Sequence, residues 1–261
     1  MSIPLYWWKT RANFGDLLSP IIVSHVSRHK VQYSDKPGKL LALGSILGSV
    51  AEGDCVWGSG IRGRPVKTKN IRVFAVRGPK TRDVLHRYDI DCPAVYGDPA
   101  WLMPQIYDPN IDKRYKTAVL PHYSDVRLRR LALQSDVQLL STSDPPKEVI
   151  DGILAAERLV TSSLHGLIIA EAYGVPVVLW RDVGHQREKQ FKFQDYFLST
   201  GREDHTVWNV SLEDAIKRIP EIPKPDPIDT LKLVAAFPHS VFSATTTEPK
   251  RANNHEQQAA F

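Results

Sequence analysis

The sequence is poor in cysteine and has no long apolar run. Its 261 residues include two cysteines, Cys55 and Cys92, which form no CxxC pair, so neither a disulfide framework nor a thiolate zinc site is expected. The longest apolar stretches, 40–50 and 164–180, are interrupted by Gly, Ser, His or Glu. They fall short of the roughly 20 apolar residues that a membrane span needs. The N-terminal MSIPLYWWKTR is too short and too aromatic for the apolar core of a signal peptide. We therefore expect a soluble cytoplasmic protein.

Several motifs of metal and nucleotide sites are also missing. The chain contains no HExxH, no GxxxxGK[ST] phosphate loop and no GxSxG nucleophile elbow, so no tightly bound metal is expected. The formal net charge of +5 favours an anionic partner, such as a nucleic acid, a phosphorylated metabolite or an acidic membrane surface. The basic residues are scattered and do not form a stripe interleaved with aromatics, which argues against a nucleic-acid partner.

Short apolar runs alternate with helical patterns along most of the chain. Runs ending in glycine or proline predict buried parallel strands, and Pro or Asp at the start of a polar-apolar repeat predicts a helix. Strands are predicted at 3–8, 40–45, 55–60, 71–78, 94–97, 117–121, 137–140, 158–161 and 176–180, and helices at 16–26, 80–88, 125–134, 144–156, 164–173, 212–218 and 230–237. This alternation predicts an α/β fold with parallel sheets covered by helices on both faces.

A polar stretch, 107–116, divides the pattern into two similar halves. Such a composition shift is typical of a domain boundary. We predict an N-terminal Rossmann-like lobe at 1–110 and a C-terminal Rossmann-like lobe at 111–237, facing each other across a cleft. The Ser-, Thr-, Asn- and Gln-rich residues 238–261 predict a disordered tail.

Polar residues follow nearly every predicted strand, where ligands of open α/β sheets bind. Arg77, next to Gly78 and a helix start, offers a fork suited to a carboxylate or phosphate. His165 begins a helix and either faces a cleft or is a core histidine with satisfied hydrogen bonds. Asp16 is equally suited to capping a helix and to taking part in a reaction. Asp98 precedes a proline, which fits a structural turn.

Taken in order, these segments resemble the polysaccharide pyruvyltransferase family. The matching segments are spread over residues 3 to about 200, so the ordered set is far more specific than any one of them. They are Asn13-Phe14-Gly15-Asp16, Trp57-Gly58-Ser59-Gly60, Val76-Arg77-Gly78-Pro79-Lys80-Thr81, Tyr96-Gly97-Asp98-Pro99-Ala100, Pro121-His122-Tyr123, Thr161-Ser162-Ser163-Leu164-His165-Gly166, Glu171-Ala172-Tyr173-Gly174-Val175-Pro176 and Lys192-Phe193 with Asp195-Tyr196.

The resemblance implies a fold like that of the two-lobed GT-B glycosyltransferases. It also implies transfer of pyruvate from phosphoenolpyruvate to two hydroxyls of one sugar, during bacterial synthesis of exopolysaccharide, capsule, lipopolysaccharide or wall polymers. No cofactor is implied, since phosphoenolpyruvate is a substrate. The acceptor would be a sugar, commonly lipid-linked, so membrane contact would be peripheral, at the inner face.

The resemblance also implies site residues. His165 would donate a proton or contact phosphate, and Asp16, with Asn13, would face the acceptor hydroxyls and act as their base. Binding of the donor would involve Gly58, Ser59, Arg77, Lys80, Ser162, Ser163 and Lys192. Many members have arginine at the position of Ser163, so this chain would draw its positive charge from Arg77, Lys80, Arg181 and Lys192.

Two other functions fit the same pattern. A glycosyltransferase with a nucleotide-sugar donor would share the fold, and it would bind a nucleoside diphosphate and not phosphoenolpyruvate. A non-catalytic sugar-binding module would bind without releasing phosphate.

Overall fold

The computed structural model describes residues 2–62, 66–123, 135–181, 188–208, 210–225 and 228–243. They form an α/β fold with two five-stranded sheets, all of whose strand pairs are parallel. The predicted fold class, two Rossmann-like units of parallel strands and helices, is therefore confirmed. No helix among these residues is both long and apolar enough to cross a bilayer.

The first sheet is built from the N-terminal part of the chain. Its strands are β1 (Ser2–Tyr6), β2 (Lys30–Tyr33), β3 (Leu40–Leu41), β4 (Cys55–Trp57) and β5 (Arg72–Ala75), in the order β2-β1-β3-β4-β5. Helices α1 (Phe14–Ser27), α2 (Pro79–Arg87) and α3 (Met103–Ile106) accompany it, with 3₁₀ turns at Leu47–Ser49 and Pro99–Leu102. The inner strand β4 is buried throughout, as expected for a parallel sheet covered on both faces.

The second sheet also has five parallel strands and is built from the C-terminal part of the chain. Its strands are β6 (Tyr115–Leu120), β7 (Val137–Leu139), β8 (Ala156–Thr161), β9 (Val177–Arg181) and β10 (Val207–Trp208), in the order β10-β9-β8-β6-β7. Helices α4 (Pro146–Leu154), α5 (Leu164–Ala172), α6 (Glu188–Ser199) and α7 (Leu212–Lys217) accompany it. The helix predicted at 125–134 lies outside the described residues.

The last two helices, α8 (Thr230–Ala235) and α9 (His239–Ser243), return to the first lobe. The indole Nε1 of Trp57 donates to the carbonyl of Leu233 at 2.7 Å, and the Trp57 ring meets Phe237 edge-on at 4.9 Å. These contacts attach α8 to strand β4 of the first lobe, although the sequence pattern predicts residues up to 237 in the second lobe. The sequence pattern also predicts disorder from 238, whereas α9 is helical; residues after 243 lie outside the described part of the chain.

Helix α1 starts two residues earlier than predicted, and its cap differs. Asn13 is the N-cap and its side chain accepts a hydrogen bond from the backbone N–H of Gly15 at 3.1 Å. Asp16 therefore lies in the first turn and is not the cap, which leaves its carboxylate available for other contacts. Asp229 does cap α8, as its sequence position predicted.

Candidate active site

The two lobes meet where α1 of the first lobe faces α5 of the second. A Cβ placed on Gly15 would lie 2.1 Å from Nδ1 of His165, so the imidazole packs directly on the Gly15 backbone. Nearby, the N–H of Phe14 donates to the carbonyl of Thr142 at 2.8 Å. Only glycine allows so close an approach, so the 13–16 segment lies directly against His165.

Arg77, at the end of β5, is fully buried. Its Nη1 donates to the hydroxyl of Ser45 at 2.8 Å, and its Nε donates to Oδ2 of Asp195 at 3.2 Å. A Cβ on Gly60 would lie 2.3 Å from the guanidinium carbon, so Gly60 provides the space that the planar group occupies. A buried guanidinium needs such pairing, because an unpaired buried charge is costly.

Asp195 comes from α6 of the second lobe and binds the first. Its carboxylate accepts from the backbone N–H of Thr81 at 2.9 Å and from the Thr81 hydroxyl at 2.6 Å, in addition to Arg77. A Cβ on Gly78 would lie 2.0 Å from the Asp195 carbonyl oxygen. Asp195 thus fixes Arg77 across the interface. The sequence analysis quoted Asp195 in a motif but gave it no role.

His165 faces Asp98 across the same interface. Its Nε2 lies 3.7 Å from Oδ2 of Asp98, and both side chains are buried. The other oxygen, Oδ1 of Asp98, accepts from the N–H of Ala100 at 3.0 Å. Asp98 therefore has the structural role predicted for it, and it also presents its second oxygen to the histidine.

Burial and neighbouring charges shift the pKa values of both His165 and Asp98. Burial, followed by the positive charges of Lys192 and Arg77, lowers the pKa of His165 to about 3, so its imidazole is neutral at pH 7. Burial also raises the pKa of Asp98 to about 6, although the hydrogen bond from Ala100 and the charge of Arg77 oppose the rise. The expected proton donor His165 is therefore not an imidazolium in the unliganded protein.

Three buried polar atoms in this region have no hydrogen-bond partner among the described residues. They are Nη2 of Arg77, Oδ2 of Asp98 and Nε2 of His165. All three lie in ion-pair geometry, since Nη2 of Arg77 is 3.2 Å from Oδ2 of Asp195 and Oδ2 of Asp98 is 3.7 Å from Nε2 of His165. A buried polar atom without a partner costs about 1–3 kcal/mol. Such atoms are rare in folded proteins and are typical of strain, of a catalytic role, or of a bound water or ion.

Asp16 borders a cavity of about 110 Å³, whose wall includes Asn13, Ser45, Arg62 and Tyr123. Ser45 is also the residue whose hydroxyl accepts from Nη1 of Arg77. Burial raises the pKa of Asp16 to about 6, and the charges of Arg62 and then Lys192 limit the rise. A carboxyl group with this pKa exchanges protons near neutrality, as a general base requires. Asn13 and Asp16 are thus brought together at one cavity.

Most of the other predicted binding residues are engaged within the protein. The Ser59 hydroxyl donates to Gly44 at 3.0 Å, Ser162 Oγ accepts from the N–H of His122 at 2.8 Å, and Ser163 caps α5. Gly58 adopts φ +87 with Pro99 packed where a side chain would lie. These residues shape the loops and present backbone groups.

The predicted cations differ in their surroundings. Lys80 Nζ donates to Oε1 of Gln194 on α6 at 2.5 Å. Lys192 is buried, and its charge acts on both Asp16 and His165. The side chain of Arg181 lies outside the described residues. No cluster of three metal-ligating side chains occurs among the residues that the structure describes.

Residues 55–180, from the start of β4 to β9, match the sequence model of one protein family. That family is the polysaccharide pyruvyl transferases. The resemblance inferred from the motifs is thereby confirmed. Arg77, Asp98 and His165 all lie within the matched segment, whereas Asp16 and Asp195 lie outside it.

Two further comparisons are weaker. The chain is 28% identical over 178 residues to an uncharacterized protein of Acanthamoeba polyphaga mimivirus, covering 62% of this chain and 60% of that relative. The chain thus spans less than two thirds of the relative it matches. A solved structure, a functionally uncharacterized protein of Klebsiella pneumoniae, superimposes with a TM-score of 0.48 and 13% identity over 80% of this chain and 93% of the other.

Proposed function

We propose that this chain is a polysaccharide pyruvyl transferase that moves pyruvate from phosphoenolpyruvate onto two hydroxyls of one sugar. The product is a pyruvate ketal on a surface polysaccharide or on its lipid-linked precursor, made in the cytoplasm or at the inner face of the membrane. The observation that supports this proposal is the group of three buried polar atoms on Arg77, Asp98 and His165 that make no hydrogen bond within the described residues, together with the family match over the segment that holds them.

The chemistry of these atoms suits a small anion that must be protonated. Nη2 of Arg77 can donate to a carboxylate or phosphate oxygen. His165 is neutral and stands beside a carboxyl group whose pKa is about 6. A bound trianion raises the proton affinity of both groups. The pair therefore gains a proton when the donor binds and can deliver it to the donor.

The reaction balances as follows. A proton from the Asp98–His165 pair adds to the methylene carbon of phosphoenolpyruvate, which makes the neighbouring carbon electrophilic. The first sugar hydroxyl adds to that carbon while Asp16 takes its proton. The carbon–oxygen bond to phosphate then breaks, the second hydroxyl adds, and its proton leaves with the phosphate. The sum is one phosphoenolpyruvate and two hydroxyls giving one ketal and one hydrogen phosphate.

The experiment has two parts. Calorimetric titration of the purified protein with phosphoenolpyruvate tests the donor, and phosphate release with and without a panel of lipid-linked and synthetic oligosaccharides tests the reaction. We expect donor binding, release that depends on an acceptor, and a ketal methyl signal in the product. Tight binding of UDP or GDP without binding of phosphoenolpyruvate would refute the proposal in favour of a glycosyltransferase.

Single substitutions test whether His165 and Asp98 supply the proton. His165→Gln removes the imidazole, and His86→Gln is its matched control because His86 is an exposed histidine on α2. We expect turnover to fall at least about 100-fold in the first variant, as general acid–base groups contribute about 10²–10⁴-fold, and to stay at the wild-type level in the second. Asp98→Asn keeps an oxygen to accept the N–H of Ala100 while removing the exchangeable proton, so it should lose turnover but keep its melting temperature.

A further inference from the structure

A second cavity opens in the C-terminal lobe, and the reaction scheme above makes no use of it. It has a volume of about 300 Å³ and lies beyond the carboxyl ends of β6 and β7, lined in part by His122, Tyr123, Leu139, Ser141 and Asp144. Ligands of parallel sheets bind at this edge. The volume stands at the lower limit of small-molecule pockets, about 300–1,000 Å³, which suits a single ring better than a nucleotide.

The wall of this cavity offers polar groups to a neutral molecule. The Asp144 carboxylate is half-buried, and no described residue pairs with it. Ser141 Oγ accepts from the N–H of Ser143 at 3.1 Å, which leaves its O–H able to donate. Among the described lining residues there is no lysine or arginine. A carboxylate repels phosphates but accepts hydrogen bonds from hydroxyls.

The apolar part of the wall complements these groups. Leu139, Leu140 and the ring of Tyr123 line the same space. The Tyr123 ring is held in place by the His122 ring at 4.1 Å and by the guanidinium of Arg11 at 4.8 Å. Apolar surface with a few fixed polar groups is the usual composition of a ligand pocket, and a sugar ring presents both C–H faces and hydroxyls.

The cavity adjoins the one that contains the proposed base. Tyr123 lines both this cavity and the smaller one bordered by Asn13 and Asp16. The N–H of Phe14, next to Asn13, donates to the carbonyl of Thr142 in the wall of the larger cavity. A sugar held at Asp16 would therefore have its neighbour in the acceptor chain beside Tyr123.

We propose that the cavity bounded by Tyr123, Ser141 and Asp144 binds a neutral sugar unit of the acceptor, the one next to the unit that receives pyruvate. The inference rests on the proposed function, because that function supplies the saccharide acceptor. Asp144 accepts hydrogen bonds from two hydroxyls of this unit, and the Tyr123 side chain contacts its ring. The subsite thus selects an acceptor of at least two sugars.

The test is direct binding of sugars, separate from turnover. Methyl glycosides of glucose, galactose, mannose and N-acetylglucosamine, with their common disaccharides, are titrated at millimolar concentrations and followed by saturation-transfer NMR. The variants are Asp144→Ala and Asp144→Asn, and the control is Asp112→Ala, which removes an exposed carboxylate from the connection before β6. We expect at least one sugar to bind the wild type and the control, and to bind both Asp144 variants about tenfold or more weakly, since hydrogen bonds to charged groups are lost.

Two results would overturn the inference: no sugar of the panel binds the wild type, or a sugar binds the folded Asp144 variants as well as it binds the wild type. Melting temperatures of the variants show that they are folded, and Asp144→Asn keeps the shape of the site if the alanine variant does not fold. Titration of the same samples with phosphoenolpyruvate separates the two proposals. If phosphoenolpyruvate binds and no sugar does, only the subsite proposal is refuted. If a sugar binds in a way that depends on Asp144 and phosphoenolpyruvate does not bind, the proposed donor is refuted and the sugar site stands.

Discussion

Replacing Asp195 by alanine should destabilise the protein strongly, although Asp195 lies outside both cavities. Its side chain and that of Arg77 are fully buried, with Nη2 of Arg77 3.2 Å from Oδ2 of Asp195. The alanine variant leaves the guanidinium without its carboxylate and removes two hydrogen bonds to Thr81. Breaking a buried pair in this way costs about 3–5 kcal/mol.

The expected signal is a large fall in melting temperature. A chain of this size loses about 2–4 °C for each kcal/mol, so Asp195→Ala should melt at least about 6 °C below the wild type in calorimetry or fluorescence. The matched control is Asp89→Asn. Asp89 pairs with Lys69 at 2.6 Å, but both side chains are largely exposed, and pairs in water contribute little. Its melting temperature should stay unchanged.

A second variant distinguishes lost charge pairing from lost packing. Arg77→Met combined with Asp195→Leu removes both charges and fills the space with apolar atoms, so it should be more stable than Asp195→Ala alone. Binding of phosphoenolpyruvate should be lost in both. A melting temperature for Asp195→Ala within about 2 °C of the wild type, less than 1 kcal/mol, would refute the reasoning, because it would mean that Arg77 finds water or another partner at no cost.

Three further predictions concern single positions. Gly15→Ala places a methyl group 2.1 Å from Nδ1 of His165, so turnover should fall about 100-fold as the ring is displaced. The control is Gly174→Ala. Gly174 has φ +70 and faces open space, so this variant should lose only stability, by about 1 kcal/mol. The pKa of Asp16 is raised to about 6 from 3.8, so its contribution to stability is fully present below pH 3.8 and is lost as the pH rises through 6. Asp16→Asn should therefore be up to about 3 kcal/mol more stable than the wild type at pH 8. It should show no gain at pH 4 in denaturant titrations and should be inactive throughout. Burial raises the pKa of the Cys92 thiol to about 12, so a thiol reagent should not label Cys92 at pH 8 until the protein is denatured.

Most of the parallel strands could be predicted from the sequence because they are short apolar runs with a clear end, whereas β2 and β10 were not predicted and the run at 94–97 forms only an isolated bridge, Val76 with Tyr96. Strand β4 and β8 are examples: both are largely buried, and both are followed by Gly or Ser where the chain turns. Strand β2 was missed because it lies at the edge of its sheet and alternates exposed with half-buried residues, so its sequence KVQY lacks an apolar run. Helix α6 was missed as an element although its motif was noted, since aromatic residues such as Phe191 and Tyr196 alternate with polar and charged ones in this stretch.

The candidate site was predicted in part. Loops at strand ends located Arg77, His165 and Asp16, because the carboxyl edge of a parallel sheet is where side chains converge. The serines at 59, 162 and 163 looked equally suited to binding, but hydroxyl groups also serve turns and caps, and only the three-dimensional contacts distinguish the two uses. The protonation of His165 depends on burial and on two cations from distant segments, which no local pattern contains.

The arrangement of charge across the interface gives a reason for splitting the site between two lobes. Arg77 is anchored by Asp195, 118 residues away in the sequence, whereas His165 of the second lobe meets Asp98 of the first. Each lobe therefore supplies one acid and one basic or imidazole group to a pair completed by the other lobe. If the lobes separated, both pairs would open and leave charged groups to be solvated. Within the described residues, one atom each of Arg77, Asp98 and His165 makes no hydrogen bond, although each lies within ion-pair distance of its partner. A ligand that binds these atoms would stabilise the contact between the lobes, because ligands favour the arrangement to which they bind more tightly.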